Sequence, residues 1–352
     1  MATIAIIGTG WGRRVQVPLF REAGLEIAGI AGFHRNRTER AAAELGVPAF
    51  DDWRAILDSD VDIVSIAAPP SEHLEIGTAV LESGKHVINE KPTALDAAEA
   101  AKLLDVSRQH PDRIAIVDHE LRFLPAWRAA RERIGDLGAL RYVEVRYASP
   151  GRGDRNREWN WWSDAARGGG IWGAVGSHFI DTIRYLGFEI EAAQAELRTI
   201  IAERPFGEGM RPVTADDFAS VHLRLDGNAS AVITLSAVAS GTDEPAMTTI
   251  HGEHGAYRLV GEELLYAKPA APYERIVGGE LQKLPGNSPG GAFGTGTLLL
   301  GRALRAAIDE GDRSALSLAA TFEDGLAQQR VLDAARRSAQ TEGRWTETGL
   351  SS

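Results

Sequence analysis

The sequence predicts an α/β protein in two parts: a doubly wound parallel sheet over residues 1–122, then an α+β domain over 123–352 built on an open, mostly antiparallel sheet with helices on one face. Three observations carry this reading. A β-branched run, Ile4-Ala-Ile-Ile7, stops at Gly8-Thr-Gly10-Trp-Gly12 and leads into a stretch holding Val15, Val17, Leu19 and Phe20. As far as residue 117, short unbroken apolar runs interleave with amphipathic helical stretches, as expected of strands covered on both faces. Beyond residue 140 the runs alternate apolar and polar, as in a sheet with one face free. A length of 352 residues admits two domains, at roughly 100–200 residues each.

Taken in order, Glu26–Ala31 reads as the second strand and Thr38–Leu45 as a helix closed by Gly46, a residue suited to the left-handed position after a helix. Val61–Ala67 is a strand, Leu74–Ser83 a helix ending at Gly84, Lys85–Ile88 a strand and Ala94–Gln109 a helix; Ile114–Val117 completes the series. A strand, a glycine turn and a helix form the setting in which a Gly-rich motif carries meaning. Glycine lets the backbone approach a pyrophosphate, whose charge faces free N–H groups at the helix N-terminus. Gly8, Gly10, Trp11 and Gly12 are therefore assigned to a dinucleotide, and the first part reads as a Rossmann domain. Gly12 comes one residue earlier than the usual third glycine, and Pro18 falls early enough that the first helical turn should be irregular.

An acidic residue about 20 positions after the glycines favours NAD, whereas Arg accommodates the 2′-phosphate of NADP. Here Gly32 occupies that slot, followed by His34, Arg35 and Arg37. NADP is favoured on this ground, with NAD as the alternative and a solvated loop as the plain reading of the same residues.

The segments Asp62-Ile-Val-Ser-Ile-Ala-Ala-Pro-Pro-Ser-Glu-His73 and Gly84-Lys-His-Val-Ile-Asn-Glu-Lys-Pro92 are more specific. Gly84-Lys-His-Val87 and Glu90-Lys-Pro92, with the later Gly-Gly-Gly…His-x-x-Asp stretch, resemble the glucose–fructose oxidoreductase/inositol dehydrogenase (Gfo/Idh/MocA) family across nearly the whole chain. The resemblance implies an NAD(P)-dependent oxidoreductase passing hydride between nicotinamide and a hydroxyl-bearing carbon of a sugar, sugar derivative or cyclitol. It implies Lys91 as acid/base, with Ala67, Pro69, His73 and Glu90 lining the cofactor. Pro92 restricts the Lys91 backbone, which suits the lysine to a fixed task. The family also contains glycosidases that use the cofactor transiently, and a non-catalytic cofactor-binding regulator is a further alternative. A homodimer or homotetramer through the C-terminal sheet is implied too.

In the second half, Asp118, His119 and Arg122 follow the last Rossmann strand and are candidate substrate contacts or simply residues of the domain junction. Leu140–Tyr147, Phe218–Leu225, Ala229–Ser236, Thr248–Ile250 and Ala256–Val260 read as strands, with Asp226-Gly-Asn228 a hairpin signal. Residues 284–297 read as a Gly/Pro-rich loop before helices near 298–309 and 317–340. Trp159, Trp161 and Trp162 offer flat faces for sugar C–H groups, or fill a core or interface; Trp161 and Trp162 are taken as substrate contacts. In Gly168-Gly-Gly-Ile-Trp-Gly-Ala-Val-Gly-Ser-His-Phe-Ile-Asp181, a helix would place His178 and Asp181 on one face. By resemblance His178 joins Lys91 as a catalytic residue and Asp181 binds substrate. Ala174 stands where many relatives carry Asp, which puts a Lys–Asp–His relay in doubt.

Composition narrows the partners. A formal charge of −11, from 38 basic against 49 acidic residues, argues against nucleic acid or an anionic membrane surface. The absence of cysteine removes thiolate and disulfide chemistry, and no metal site is expected. No apolar run approaches the roughly 18–20 residues of a membrane span. The expectation is a cytoplasmic enzyme of small molecules.

Overall fold

A computed structural model describes residues 1–241, 245–278, 284–285 and 291–350. The chain forms two compact units: residues 1–94, 98–124 and the described part of 282–326 in the first, and 95–97, 125–281 and 327–352, where described, in the second. The first unit is thus not closed at residue 122; the chain returns to it late.

The first unit begins β1 (Thr3–Ile7), α1 (Val17–Glu22), β2 (Glu26–Ala31), α2 (Arg35–Leu45), β3 (Ile63–Ile66), α3 (His73–Glu82), β4 (His86–Asn89), α4 (Ala97–Gln109) and β5 (Ala115–Val117). These five strands are parallel in the order β5-β4-β3-β1-β2. The chain runs from β1 to β2 on one side and resumes at β3 on the other, so the switch point lies between β1 and β3. Open α/β sheets bind ligands outside the carboxyl ends of their strands at such a point.

Alternate residues feed two cores. Ile7, Val64 and Ile66 pack with Ile76 and Val80 of α3 and Leu103 of α4. Ile4, Ile6 and Ile30 pack with Phe20 of α1 and with Leu300 and Leu304 from far down the chain. That second cover explains the late return, because a doubly wound sheet needs helices on both faces.

The second unit follows with α5 (Pro125–Glu132), β6 (Leu140–Ala148), α6 (Ser177–Tyr185), β7 (Ile190–Arg198), β8 (Glu203–Phe206), β9 (Gly209–Pro212), β10 (Phe218–Leu225), β11 (Ser230–Ser236), β12 (Met247–Gly252), β13 (Ala256–Val260), β14 (Glu263–Ala267) and β15 (Glu274–Val277). Then come α7 (Ala292–Asp309) and β16 (Ala320–Thr321) of the first unit, α8 (Phe322–Gln340), and β17 (Thr346–Glu347). The nine-stranded sheet runs β15-β14-β13-β12-β6-β11-β10-β7-β17, and only β6 and β11 are parallel neighbours. Val143, Val145, Val221, Leu223, Ile233 and Leu235 are buried on one face, while Glu144, Arg146, His222 and Arg224 are exposed on the other. The Asp226-Gly-Asn228 signal is realised: Gly227 and Asn228 have φ of 65° and 62° between antiparallel β10 and β11, the two positive values that such a tight hairpin needs.

The expected loop at 284–297 is corrected in part. Residues 286–290 lie outside the described residues, and α7 starts at Ala292 despite its glycines. The glycines serve close packing: a Cβ on Gly296 would sit 2.6 Å from the Glu120 carbonyl oxygen, and one on Gly301 would sit 2.8 Å from Ala23 Cβ. Among the described residues no helix is long and apolar enough to cross a membrane.

Gly296→Ala is expected to push α7 away from the Glu120–Phe123 turn and to destabilise the protein by about 1–3 kcal/mol. Thermal denaturation of the purified chain measures this, and an unchanged Tm would mean that α7 is free to shift.

Candidate functional site

The carboxyl edge of the first sheet is shaped by glycine and by one irregular helical turn. Gly8 has φ of +141°, its N–H donates to the Ala31 carbonyl at 2.9 Å, and a Cβ there would lie 2.2 Å from the Ala67 oxygen. Gly12 packs on β1, where a Cβ would meet Ile6 Cγ2 at 2.5 Å. The early third glycine therefore does the helix–strand packing job of the usual motif. A Cβ on Gly10, in contrast, would meet nothing within 4 Å. This leaves room above the N–H groups of the following helix, as a pyrophosphate requires. The residues present thus fit a dinucleotide, with Trp11 half-buried beside the turn.

Residues Gly12–Gln16 form a π-turn, with the Val17 N–H donating to the Gly12 carbonyl, before regular helix resumes. The irregular first turn expected from Pro18 is present. Pro has no N–H to place in an i→i−4 bond, and a wide turn ahead of it absorbs the mismatch. The turn also aims the buried Gln16 side chain under the sheet edge. Gln16 Nε2 donates to Glu90 Oε1 and Asp118 Oδ2, each at 3.0 Å, and its Oε1 accepts from Ser65 Oγ at 2.8 Å.

Gln16 thereby ties together a buried acidic group. Burial and the charge of Asp118 push the Glu90 carboxyl well above the ordinary range, against the pull of Lys91. Burial raises Asp118 too, opposed by Gln16 and Lys91. Glu120 is likewise pushed well up, by burial and then by Asp118. The Gln16 amide nitrogen thus bridges the two carboxyls. Lys91 Nζ stands 4.0 Å from Glu90 Oε2, its side chain 16% exposed. The Lys91–Pro92 peptide is cis.

His73 is fully buried, and its ring shapes this edge. Its Nε2 lies 3.0 Å from the Ala68 carbonyl and its Nδ1 3.1 Å from that of Pro92. The ring staples the Ala67–Pro69 turn to the Lys91–Pro92 turn, and desolvation lowers its pKa to about 4, keeping it neutral. Arg122 is also engaged in the fold. It pairs with both carboxylate oxygens of Asp324, at 3.2 and 3.3 Å. Burial opposes ionisation of Asp324, but the charge and hydrogen bonds of Arg122, with Thr321, outweigh it and hold the carboxyl low. His119 is buried beside Glu120.

At the end of β2, His34, Arg35 and Arg37 are all exposed. Arg35 is bound to Glu39 at 2.8 Å and lies 3.7 Å from Asp51. Gly32 occupies the acidic slot for a steric reason, since a Cβ there would meet Thr38 Oγ1 at 2.7 Å and Thr9 Cγ2 at 2.9 Å.

In the second unit the Gly168–Asp181 segment is built on Asp216. The Trp172 N–H donates to Asp216 Oδ2 at 2.7 Å and the Ile171 N–H to the Asp216 carbonyl at 2.9 Å. Gly170, at φ +109°, is needed because a Cβ would fall 2.5 Å from Asp216 Oδ1. Burial raises Asp216 to about 6, opposed by the Trp172 bond. A second π-turn, Trp172–Gly176, leads into α6. There Gly176 makes space for the Trp172 ring, and Gln328 Nε2 donates to the Ser177 carbonyl at 2.7 Å. His178 and Asp181 are both buried on α6, three positions apart. Trp161 and Trp162 are half-buried in a short turn beside this segment, whereas Trp159 donates to the Pro212 carbonyl under the β8–β9 hairpin. Sequence reasoning missed Gln16, Glu120 and Asp216. The only prior signal was Pro18, which marked the irregular turn but not the residue it aims.

Because folding raises the Glu90, Asp118 and Glu120 carboxyls, the folded chain holds protons that the unfolded chain has released once pH passes the ordinary carboxylate range. Stability should therefore fall as pH rises. Tm of the ligand-free protein, followed from about pH 5 to about pH 9, is expected to decline, and Glu120→Gln should flatten that decline. An unaltered slope would show that Glu120 does not take part.

Comparison with known proteins agrees with this geometry. Residues 2–119 match the family model described as an oxidoreductase family with an NAD-binding Rossmann fold, and residues 127–258 match the GFO/IDH/MocA C-terminal domain. An uncharacterized oxidoreductase of Synechocystis is 32% identical over 292 residues, covering 80% of this chain and 78% of its own length. Glucose-fructose oxidoreductase domain-containing protein 2 of Xenopus laevis is 31% identical over 99% of this chain and 94% of its own. A levoglucosan dehydrogenase solved with NADH and levoglucosan is similar with a TM-score of 0.84 at 26% identity, over 98% of both chains. The chain belongs to the Gfo/Idh/MocA family of oxidoreductases.

Proposed function

We propose that the protein is a nicotinamide-dependent dehydrogenase that moves hydride to or from a hydroxyl-bearing carbon of a sugar, sugar derivative or cyclitol. The observation that carries this is Lys91: a mostly buried amino group at the carboxyl edge of β4, on the same edge as the Gly8–Gly12 turn, with the Glu90 carboxyl 4.0 Å from it. The levoglucosan dehydrogenase complex supports the substrate class.

Gly8, Gly10, Trp11 and Gly12 would hold the pyrophosphate, with Ala67 and Pro69 against the nucleoside beyond it. The nicotinamide ring, when bound, supplies the hydride acceptor or donor. Lys91 Nζ takes the alcohol proton as the neutral amine in oxidation and returns it as the ammonium in reduction. Glu90, whose Oε2 stands 4.0 Å from Nζ, is assigned to accept that proton from the ammonium as a carboxylate, which restores the amine. This offers an answer to Ala174, because the proton has a route that needs no Asp at that position. His178 is assigned to hydrogen-bond the reacting oxygen, and His119, Trp161, Trp162 and Asp181 to the remaining substrate contacts. A homodimer or homotetramer through the open sheet face is part of the same reading.

For the cofactor, the engagement of Arg35 by Glu39 and Asp51 reverses the preference drawn from sequence. A 2′-phosphate would have to compete with two carboxylates for that guanidinium, so NAD is the proposed cofactor, with NADP accepted through Arg37 and His34 alone.

Absorbance at 340 nm, followed across a panel of aldoses, cyclitols and anhydrosugars with each cofactor, is expected to show turnover with kcat/KM higher for NAD. Lys91→Ala should lower kcat by about 10²–10⁴-fold while leaving NADH binding, read by fluorescence, in place. A variant that keeps its rate would remove Lys91 from the chemistry.

A further inference from the structure

The second unit holds a group of arginines that the dehydrogenase reading does not use. Arg152 is buried at 9% exposure, its guanidinium lying 4.2 Å over the Trp162 ring and donating to Ser163 Oγ at 3.2 Å. Arg204, 1% exposed, donates to the Arg152 carbonyl at 2.6 Å and to that of Asp154 at 2.8 Å. Arg157 donates to the Gly151 carbonyl at 2.5 Å. Arg157 and Arg204 thus bond to the loop, residues 151–154, that carries Arg152, and among the described residues none of the three arginines has a carboxylate within ion-pair distance.

An uncompensated charge of this kind is expensive to bury. Burial, then repulsion from Arg157 and Arg204, lowers the Arg152 guanidinium to about 9. The charge of Asp217 opposes this from beyond ion-pair distance, its two oxygens accepting the Ile200 and Ile201 N–H groups at 2.7 and 2.9 Å. Stacking and a single hydrogen bond hold the Arg152 fork in place, yet most of its five donors have no protein acceptor among the described residues. A planar fork held still with its donors unspent suits bidentate recognition of a carboxylate or phosphate.

The surroundings connect this group to the segment that carries His178. The Trp162 carbonyl accepts from the Gly170 N–H at 3.2 Å, and a Cβ on Gly169 would lie 2.5 Å from the same oxygen. The arginine, its tryptophan and the glycine run leading to α6 are therefore one tightly bonded piece of backbone.

We infer that Arg152, assisted by Arg157 and seated on Trp162, is a subsite for an anionic group, carboxylate or phosphate, borne by the polyol substrate. The inference rests on the sugar-dehydrogenase reading and narrows it to sugar acids or sugar phosphates. Arg204 has its donors committed to backbone and supplies field rather than contact.

The test uses the full chain and two readouts. Calorimetric titration with D-glucuronate, D-glucose 6-phosphate and D-glucose is expected to give at least about tenfold tighter binding for one or both anions than for glucose, as a charge-assisted bond provides. The carboxylate and phosphate arms decide which group is meant. Arg152→Gln should abolish the preference. Arg157→Gln, at an exposed position, should reduce it severalfold and raise no question of folding. Equal binding of charged and neutral sugars, or a preference that survives both substitutions, would overturn the inference. NAD reduction in the same panel separates the two failures. Turnover of neutral sugars with no anion preference sinks the subsite alone. Arg152-dependent anion binding with no turnover of any sugar sinks the dehydrogenase reading alone.

Discussion

The first unit depends on where one amide side chain points. Gln16 reaches Ser65 on β3, Glu90 after β4 and Asp118 after β5, so it fixes three adjacent strand ends relative to the helix that follows β1. Its two N–H donors are the neutral counterpart of the Lys91 charge. Together they make it tolerable to bury carboxyls that water would otherwise have to solvate. Loss of that amide would leave Glu90 Oε1 and Asp118 Oδ2 without the donor they share. The glycine turn, the lysine turn and the acidic group are consequently one mechanical assembly.

The second unit solves a related problem with a carboxylate. Asp216 receives the backbone N–H at the start of the Trp172 turn, and Gly170 is a glycine because the carboxylate comes so near the chain there. A carboxylate at the positive end of a helix is favourable, which offsets part of the burial that raises it. In both units a polar group from a distant stretch of sequence holds a helix start against a sheet edge. Of the residues assigned to chemistry, Lys91 adjoins Glu90, which Gln16 holds, and His178 follows the turn whose Trp172 N–H Asp216 holds.

How much of this was legible in the sequence follows from its physics. The five parallel strands were readable because unbroken Ile/Val runs have few alternatives, and β2, β10 and β13 match the expected bounds. The Gfo/Idh/MocA motif was readable because Glu90-Lys-Pro92 is a local string. β7 was not: Ile-Glu-Ala-Ala-Gln-Ala-Glu-Leu-Arg is composed of helix formers, and only pairing with β10 and β17 makes it a strand. The late return of α7 was hidden for the same reason, since a helix does not record which sheet it covers. His73 and Arg122, read from the sequence as ligand contacts, are bonded to backbone carbonyls and to a carboxylate, which sequence spacing does not reveal because polar residues in a motif look alike.

The two π-turns carry a consequence for how this family can change. Each inserts its extra residue just ahead of a regular helix, and a helix advances by about 100° per residue. Deleting one amino acid from Gly12–Gln16 would therefore rotate every later side chain of α1 by more than a quarter circle. Val17 and Phe20 would swing off the sheet, and the amide would leave its carboxyls. Natural variants should thus exchange residues within these stretches while keeping their count, and length polymorphism should gather in surface connections instead.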